Sequence, residues 1–187
     1  MRLTKPRIAP LSDAEMGPEQ KEALKDFGDA PLLNIFRTLA RTPKALSRFN
    51  AWGGYVLSRR NDLPEREREI VILRVGYLCK SGYEFTQHTR IGLRSGLTAE
   101  EIERIKQGAD AGWSAADAAL IRAAGELHAD QFVTDDTWRE LARHFTEKQC
   151  MDVVFTTGQY TQVSMMLNTF GVQLDAGQTL DPDLKGY

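Results

Sequence analysis

Residues 64–97 read PEREREIVILRVGYLCKSGYEFTQHTRIGLRSGL, and this stretch decides the fold. Leu63-Pro64 marks a helix start, because proline has its φ preset and the N–H it lacks is not needed in a first turn. Glu65, Glu67 and Glu69 put negative charge in the N-terminal half, where the helix dipole favours it. The following run, IVILRVGYLC, is apolar at nearly every position except Arg74. A run this short also fits a buried strand. The acidic start and the lack of a turn signal before Ser81-Gly82 favour a helix, and a helix apolar all round is a buried one. Tyr83 to Arg94 continues as a second helix, which Ser95-Gly96 stops.

Outward from this pair the chain reads as further capped helices. Residues 1–16 carry Pro6 and Pro10 without a period, as an extended arm lying on the body or on a neighbour would. Residues 17–28 form a helix between Pro18 and Gly28, and Pro31 to Leu39 is a short apolar segment. Thr42-Pro43 opens a helix of about 16 residues. Thr98 with Glu101 forms a capping box for a helix ending near Gly108, and Ser114 with Asp117 repeats the start signal for residues 115–130. Thr134 opens residues 135–144, and Thr146 opens a long helix from 147 to about 169. The tail, Ala176 to Tyr187, is expected on the surface. With no alternating segment, hairpin, repeat or linker, the expectation is one all-α domain over residues 1–187: a helical bundle with an N-terminal arm.

The 187 residues suffice for a core without disulfides or metal. The net charge of −2 offers no field for phosphate backbones, so no nucleic-acid partner is expected. Two cysteines, Cys79 and Cys150, exclude a disulfide scaffold. The first residues lack the apolar segment of a signal peptide. Val153 to Leu174 is uncharged over 22 residues, yet Thr156, Gln159, Gln162 and Asn168 make it a buried protein helix rather than a membrane span. The expected location is the cytoplasm.

Glu84 and His88 are four apart and share a helix face. Glu69 and Arg74 lie on the preceding helix, and Cys79 and Tyr83 flank the turn between the two. A hairpin brings these groups together in a partly buried place, where burial and neighbouring charge move pKa values toward those useful for acid/base work. Each residue also has a plain structural reading: a hydrogen-bonded His88, a surface Glu84, Glu69 serving the dipole or paired with Arg74, Arg74 neutralising a buried carboxylate, a core Tyr83 and an inert Cys79. Glu69, Glu84 and His88 would suit a metal at helical spacing, but HExxH is absent and only His128 and His144 remain, so no metal is expected.

The segments NIFRTLARTP, IVILRV, SGYE, TQH, WSAADAALIRAAGELHAD and GQYTQVSMMLNTFGVQL resemble the carboxymuconolactone decarboxylase and alkylhydroperoxidase-D-like superfamily. The resemblance implies an all-helical fold, trimers or hexamers, and sites near subunit contacts. In its peroxidase branch it implies a CxxC pair, a histidine four residues after the second cysteine and a glutamate nineteen before that histidine. Glu69 and His88 match the last two, while Ser81 and Glu84 stand at the cysteine positions. A serine and a glutamate supply neither an attacking nor a resolving thiol. The decarboxylase branch implies a lyase that needs no cofactor. On it His88 is the proton-transfer residue, Glu84 its partner and Glu69 a supporting acid. Arg74, Tyr83 and Cys79 contact a small lactone or organic acid. The two alternatives are a thiol-dependent hydroperoxide reductase of peroxiredoxin type relying on Cys79, and a non-catalytic oligomeric binding protein.

Overall fold

The computed structural model describes residues 1–28 and 31–187. Within them the α-helices are α1 (Pro18–Leu24), α2 (Asn34–Leu39), α3 (Pro43–Val56), α4 (Glu65–Leu78), α5 (Gly82–Arg94), α6 (Ala99–Gln107), α7 (Ala115–Asp130), α8 (Asp135–His144) and α9 (Glu147–Phe170). The described residues contain no strand. The all-α expectation therefore holds, and the ends of α4 to α9 fall within a residue or two of the positions expected from their caps.

The starts are locally encoded. Thr98, Ser114, Thr134 and Thr146 each accept the N–H three residues on, satisfying a donor that the helix itself leaves free. The helix α4 is the hub, packed against α5, α6, α7 and α9. Ile70, Val71, Ile72, Leu73 and Val75 are all fully buried, as an all-round apolar helix requires. The turn into α5 is made at Lys80, which takes a left-handed conformation (φ 53°), so that Gly82 becomes the first residue of α5.

Two apolar clusters result. One surrounds α4 and includes Phe85, Leu120, Ile121, Leu141, Val153 and Tyr160. The other joins the arm to α1, α2 and α3 and includes Leu11, Met16, Leu46, Tyr83 and Val163. Both α5 and α9 contribute to each cluster and form the seam between them.

Three regions depart from the sequence expectation or refine it. The arm lies on the body: Arg7 N–H and Ile8 N–H donate to Phe170 O, and Leu11 N–H donates to Arg37 O. The apolar segment before α3 is itself the helix α2, whose first N–H is capped from far away by Asp175 Oδ1 (2.8 Å). The tail is not merely surface. Leu184 is buried, Leu180 packs on the α4 cluster, and Lys106 pins the segment through Asp181 (2.8 Å) and Asp183 (3.0 Å). No helix among the described residues is long and apolar enough to cross a membrane.

Candidate active site

Glu84, His88 and Gly92 recur every four residues and form the face of α5 turned to α4. Gly92 is what lets the helices close. A Cβ there would stand 3.0 Å from Leu97 and 3.3 Å from Leu73, with Glu69 Cβ 3.8 Å away. This close approach delivers Glu69 from α4 to His88.

The result is a buried Glu–His–Glu triad. His88 Nδ1–H donates to Glu69 Oε2 at 2.7 Å, and His88 Nε2 forms an ion pair with Glu84 Oε1 at 2.9 Å. Glu69, Glu84 and His88 are 1%, 4% and 5% exposed, too little for water to screen the charges. Burial opposes charge on His88, but the two carboxylates outweigh it and push its pKa up to about 10. At neutral pH His88 is an imidazolium between two acids. The Tyr160 ring meets His88 edge-on, with centroids 4.9 Å apart. Burial, then the charges of Glu84 and Glu69, hold the Tyr160 phenol well above its ordinary range, so its hydroxyl keeps its proton. No described residue makes a hydrogen bond to that hydroxyl.

Above the triad lies a cavity of about 780 Å³ walled by α1, α2, α3, α5 and α9. Its walls are mostly apolar, with Phe27, Ile35, Phe36, Phe49, Ile91 and Val163 among them. Glu84, His88, Gln159 and Tyr160 are the polar residues at the triad end and Tyr83, Gln87, Asn50, Ser47, Glu22, Lys25 and Asp26 the others, whereas Glu69 does not reach the cavity. The three members of the triad thus have different positions: Glu69 anchors from behind, His88 links, and Glu84 faces the space. Glu84 Oε2 takes no hydrogen bond from the described residues. Both imidazole nitrogens face carboxylates, and no described group of three or more His, Cys, Asp and Glu is arranged to hold a metal ion.

The other three sequence candidates separate from one another. Tyr83 lines the cavity, and its hydroxyl donates to Asp175 Oδ2 at 2.6 Å and takes the Ile35 N–H at 3.5 Å. Cys79 is outside the cavity, at the C-terminal end of α4, with Sγ 3.5 Å from His128 Nδ1 and its thiol pushed up by burial. The sequence points Arg74 at a buried carboxylate, but no carboxylate among the described residues pairs with it. Its Nη1 donates to the carbonyls of Ile105 and Lys106 at 2.9 Å, capping the negative end of α6. Two further residues, Gln87 and Asp175, belong to the cavity wall and its support, with Gln87 Nε2 donating to Asp175 Oδ2 at 2.7 Å. No sequence signal marks Asp175, because its partners are 88 to 141 residues away.

Residues 43–126 match the carboxymuconolactone decarboxylase family. No curated protein matches the chain. Among solved structures, an uncharacterized peroxidase-related protein from Ralstonia eutropha with an alkylhydroperoxidase AhpD core superposes with a TM-score of 0.77. It is 19% identical over 90% of this chain and 93% of that one. An uncharacterized peroxidase-related protein from Silicibacter sp. gives a TM-score of 0.74, with 16% identity over 93% of this chain and 96% of that one. The debrominase Bmp8, as a cysteine-to-alanine variant in complex with 2,3,4-tribromopyrrole, gives 0.70, with 14% identity over 92% of this chain and 94% of that one. Likeness at such identities is a likeness of fold. Residues 43–126 are thus similar to the carboxymuconolactone decarboxylase family, and the fold along most of the chain is the one shared with the alkylhydroperoxidase AhpD core.

Proposed function

We propose that the protein is a cofactor-free enzyme of the carboxymuconolactone decarboxylase type that moves protons on a small lactone or organic acid. The observation that carries this reading is Glu84: buried, on the cavity floor, with one oxygen on His88 and the other without a partner. Glu84 exchanges the proton with substrate carbon. His88 feeds or drains it, and Glu69 keeps the imidazole charged and oriented. On a lactone with a carbon–carbon double bond next to the acidic carbon and no carboxyl group, Glu84 removes a proton beside the carbonyl. The electron pair moves onto the carbonyl oxygen, and the Tyr160 hydroxyl donates to that oxygen. Return of the proton at another carbon completes an isomerisation. On a carboxylated lactone the carbon–carboxylate bond breaks instead, carbon dioxide leaves, and the same groups protonate the carbanion. The apolar walls favour release of a neutral gas over retention of an anion.

The triad carries a net charge of −1, counting two carboxylates and one imidazolium. The described cations at the cavity are already paired, Lys25 with Glu22 at 2.6 Å and His88 with two acids. Uncharged ring substrates are therefore favoured over polyanions. A peroxidase reading finds less support, since Cys79 lies off the cavity and has no second thiol beside it.

The test is a screen of lactones with and without carboxyl groups, followed by proton NMR in heavy water and by carbon dioxide release. Wild type should exchange or decarboxylate one class. Glu84→Gln should lose about 10²–10⁴-fold in rate, and Cys79→Ser should lose nothing. Dithiol-dependent peroxide removal that Cys79→Ser abolishes would replace this reading with the thiol one.

A further inference from the structure

We infer that the recess between the first turns of α4 and α9 binds a small oxyanion, a carboxylate or phosphate group, with the Arg68 guanidinium as its anchor. This recess is separate from the triad cavity, which Arg68 does not line, so the inference does not depend on the chemistry proposed there.

Arg68 is 6% exposed and lines a recess of about 450 Å³. A buried cation is ordinarily paired with an acid, which replaces the hydration it has lost. Arg66, half a turn earlier, follows that rule and holds both Glu101 and Asp117, at 2.5 and 3.0 Å. Arg68 does not, since no carboxylate among the described residues pairs with it. Its Nη1 donates to Ser58 O at 3.3 Å. Its Nε is turned inward, sealed and without an acceptor, and takes no part in the site. Nη2 is neither sealed nor bonded to a described residue, so it is the nitrogen that Arg68 presents to the recess.

The backbone around Arg68 has the same sign. The residue capping α4 is Pro64, whose side chain accepts no hydrogen bond, so the first turn keeps its N–H groups uncapped. Pro64, Glu65 and the α9 cap Thr146 all line the recess, so two positive helix ends border it. Arg59 adds an exposed cation with no ion pair among the described residues. Two acids oppose these groups. Asp62 is already held by Lys148 at 3.2 Å, and Glu65 is exposed and unpaired among the described residues. The unpaired side chains, Arg59, Arg68 and Glu65, leave the recess with one net positive charge before the helix ends are counted. An oxyanion supplies what is missing: an acceptor for Nη2 and a counter-charge for a buried guanidinium. A cation is repelled by Arg68, and a neutral ligand leaves its charge uncompensated.

The test is calorimetric titration of the intact chain with sodium phosphate and with sodium acetate, in sodium chloride buffer of matched ionic strength. Wild type should bind at least one of them saturably, in the millimolar range and at one site per chain. Tighter phosphate identifies a phosphate group as the occupant, and tighter acetate a carboxylate. Arg68→Met should weaken binding about tenfold or more. Glu65→Gln and Arg59→Gln are surface changes that keep the site testable if Arg68→Met does not fold. The first should tighten binding about two- to threefold and the second weaken it by a similar factor. No saturable binding of either anion by wild type, or wild-type affinity in a folded Arg68→Met, would overturn the assignment. So would a Glu65→Gln chain that binds no more tightly than wild type.

Discussion

Among the buried carboxylates, Asp152 and Glu84 are built on opposite plans. Asp152, fully buried on α9, has both oxygens occupied: Tyr55 OH donates at 2.7 Å, Asp62 N–H at 2.8 Å and Lys148 Nζ at 2.8 Å. Its charge is balanced, its lone pairs are used, and it is not part of the lining of the cavity beside the triad. Glu84 is equally buried, yet it shares one oxygen with His88, leaves the other free and fronts a cavity. A buried acid whose partners are complete holds the fold together, whereas one left incomplete at a cavity is available to a ligand. Burial alone does not separate the two; the count of partners does.

Exchanging the roles of the two acids is the strongest way to break this comparison. Glu84→Gln should cost about 10²–10⁴-fold in turnover, while Asp152→Asn should cost about 2–3 kcal/mol of stability and leave turnover within a few fold. Rate assays beside urea denaturation read both. If Asp152→Asn abolishes turnover in a fully folded chain, the division into structural and chemical acids fails.

Next in size is the pH response, where the two sites have opposite signs. His88 has a folded pKa raised from 6.5 to about 10, so its contribution to stability is complete below 6.5 and is lost as pH climbs toward 10. Burial opposes charge on Asp152, but Lys148, Tyr55 and the Asp62 N–H outweigh it and bring its pKa below 3.8. Its contribution is complete above 3.8 and is lost as pH falls through the lower folded value. Urea melts across pH should lose their alkaline slope in His88→Gln and their acid slope in Asp152→Asn. An unchanged alkaline slope in His88→Gln would mean that the triad does not hold the proton as described.

The smallest effect sharpens the picture of the cavity. Gly54 of α3 lines it, and a Cβ there meets nothing within 4 Å. Gly54→Ala should raise stability by about 0.5–1 kcal/mol through helix propensity. A loss instead would show that the space is filled in the folded protein.

The same contrast of local and distant partners explains what the sequence made legible. Helix starts were readable because their acceptors sit three residues from the donors they serve, as at Thr98 and Thr146. Glu84 and His88 were readable for the same reason, one turn apart on one helix. Glu69 could be joined to them through the hairpin and the resemblance. The helix α2 was not visible as a helix, because its cap, Asp175, lies 141 residues on. Arg74 was assigned a carboxylate partner because charge pairing is the commonest fate of a buried arginine. Its real partners are backbone carbonyls at the end of α6, which have no signature in side-chain spacing. The tail was misplaced because Leu180 and Leu184 are isolated apolar residues in a polar stretch, and the clamp that seats them comes from Lys106.

Trp52 gives the chain an optical property. Its indole stacks on Tyr55 at 5.4 Å and 15°, with Phe155 edge-on at 5.5 Å, and remains 42% exposed. Tyr55 holds Asp152, and the two residues between it and Trp52, Gly53 and Gly54, wall the cavity. Indole emission changes with stacking and with access to water, so the chain carries its own dye between its two acids. Acid loosening of Asp152 and arrival of a ligand would be read by fluorescence at the same residue, without any label attached.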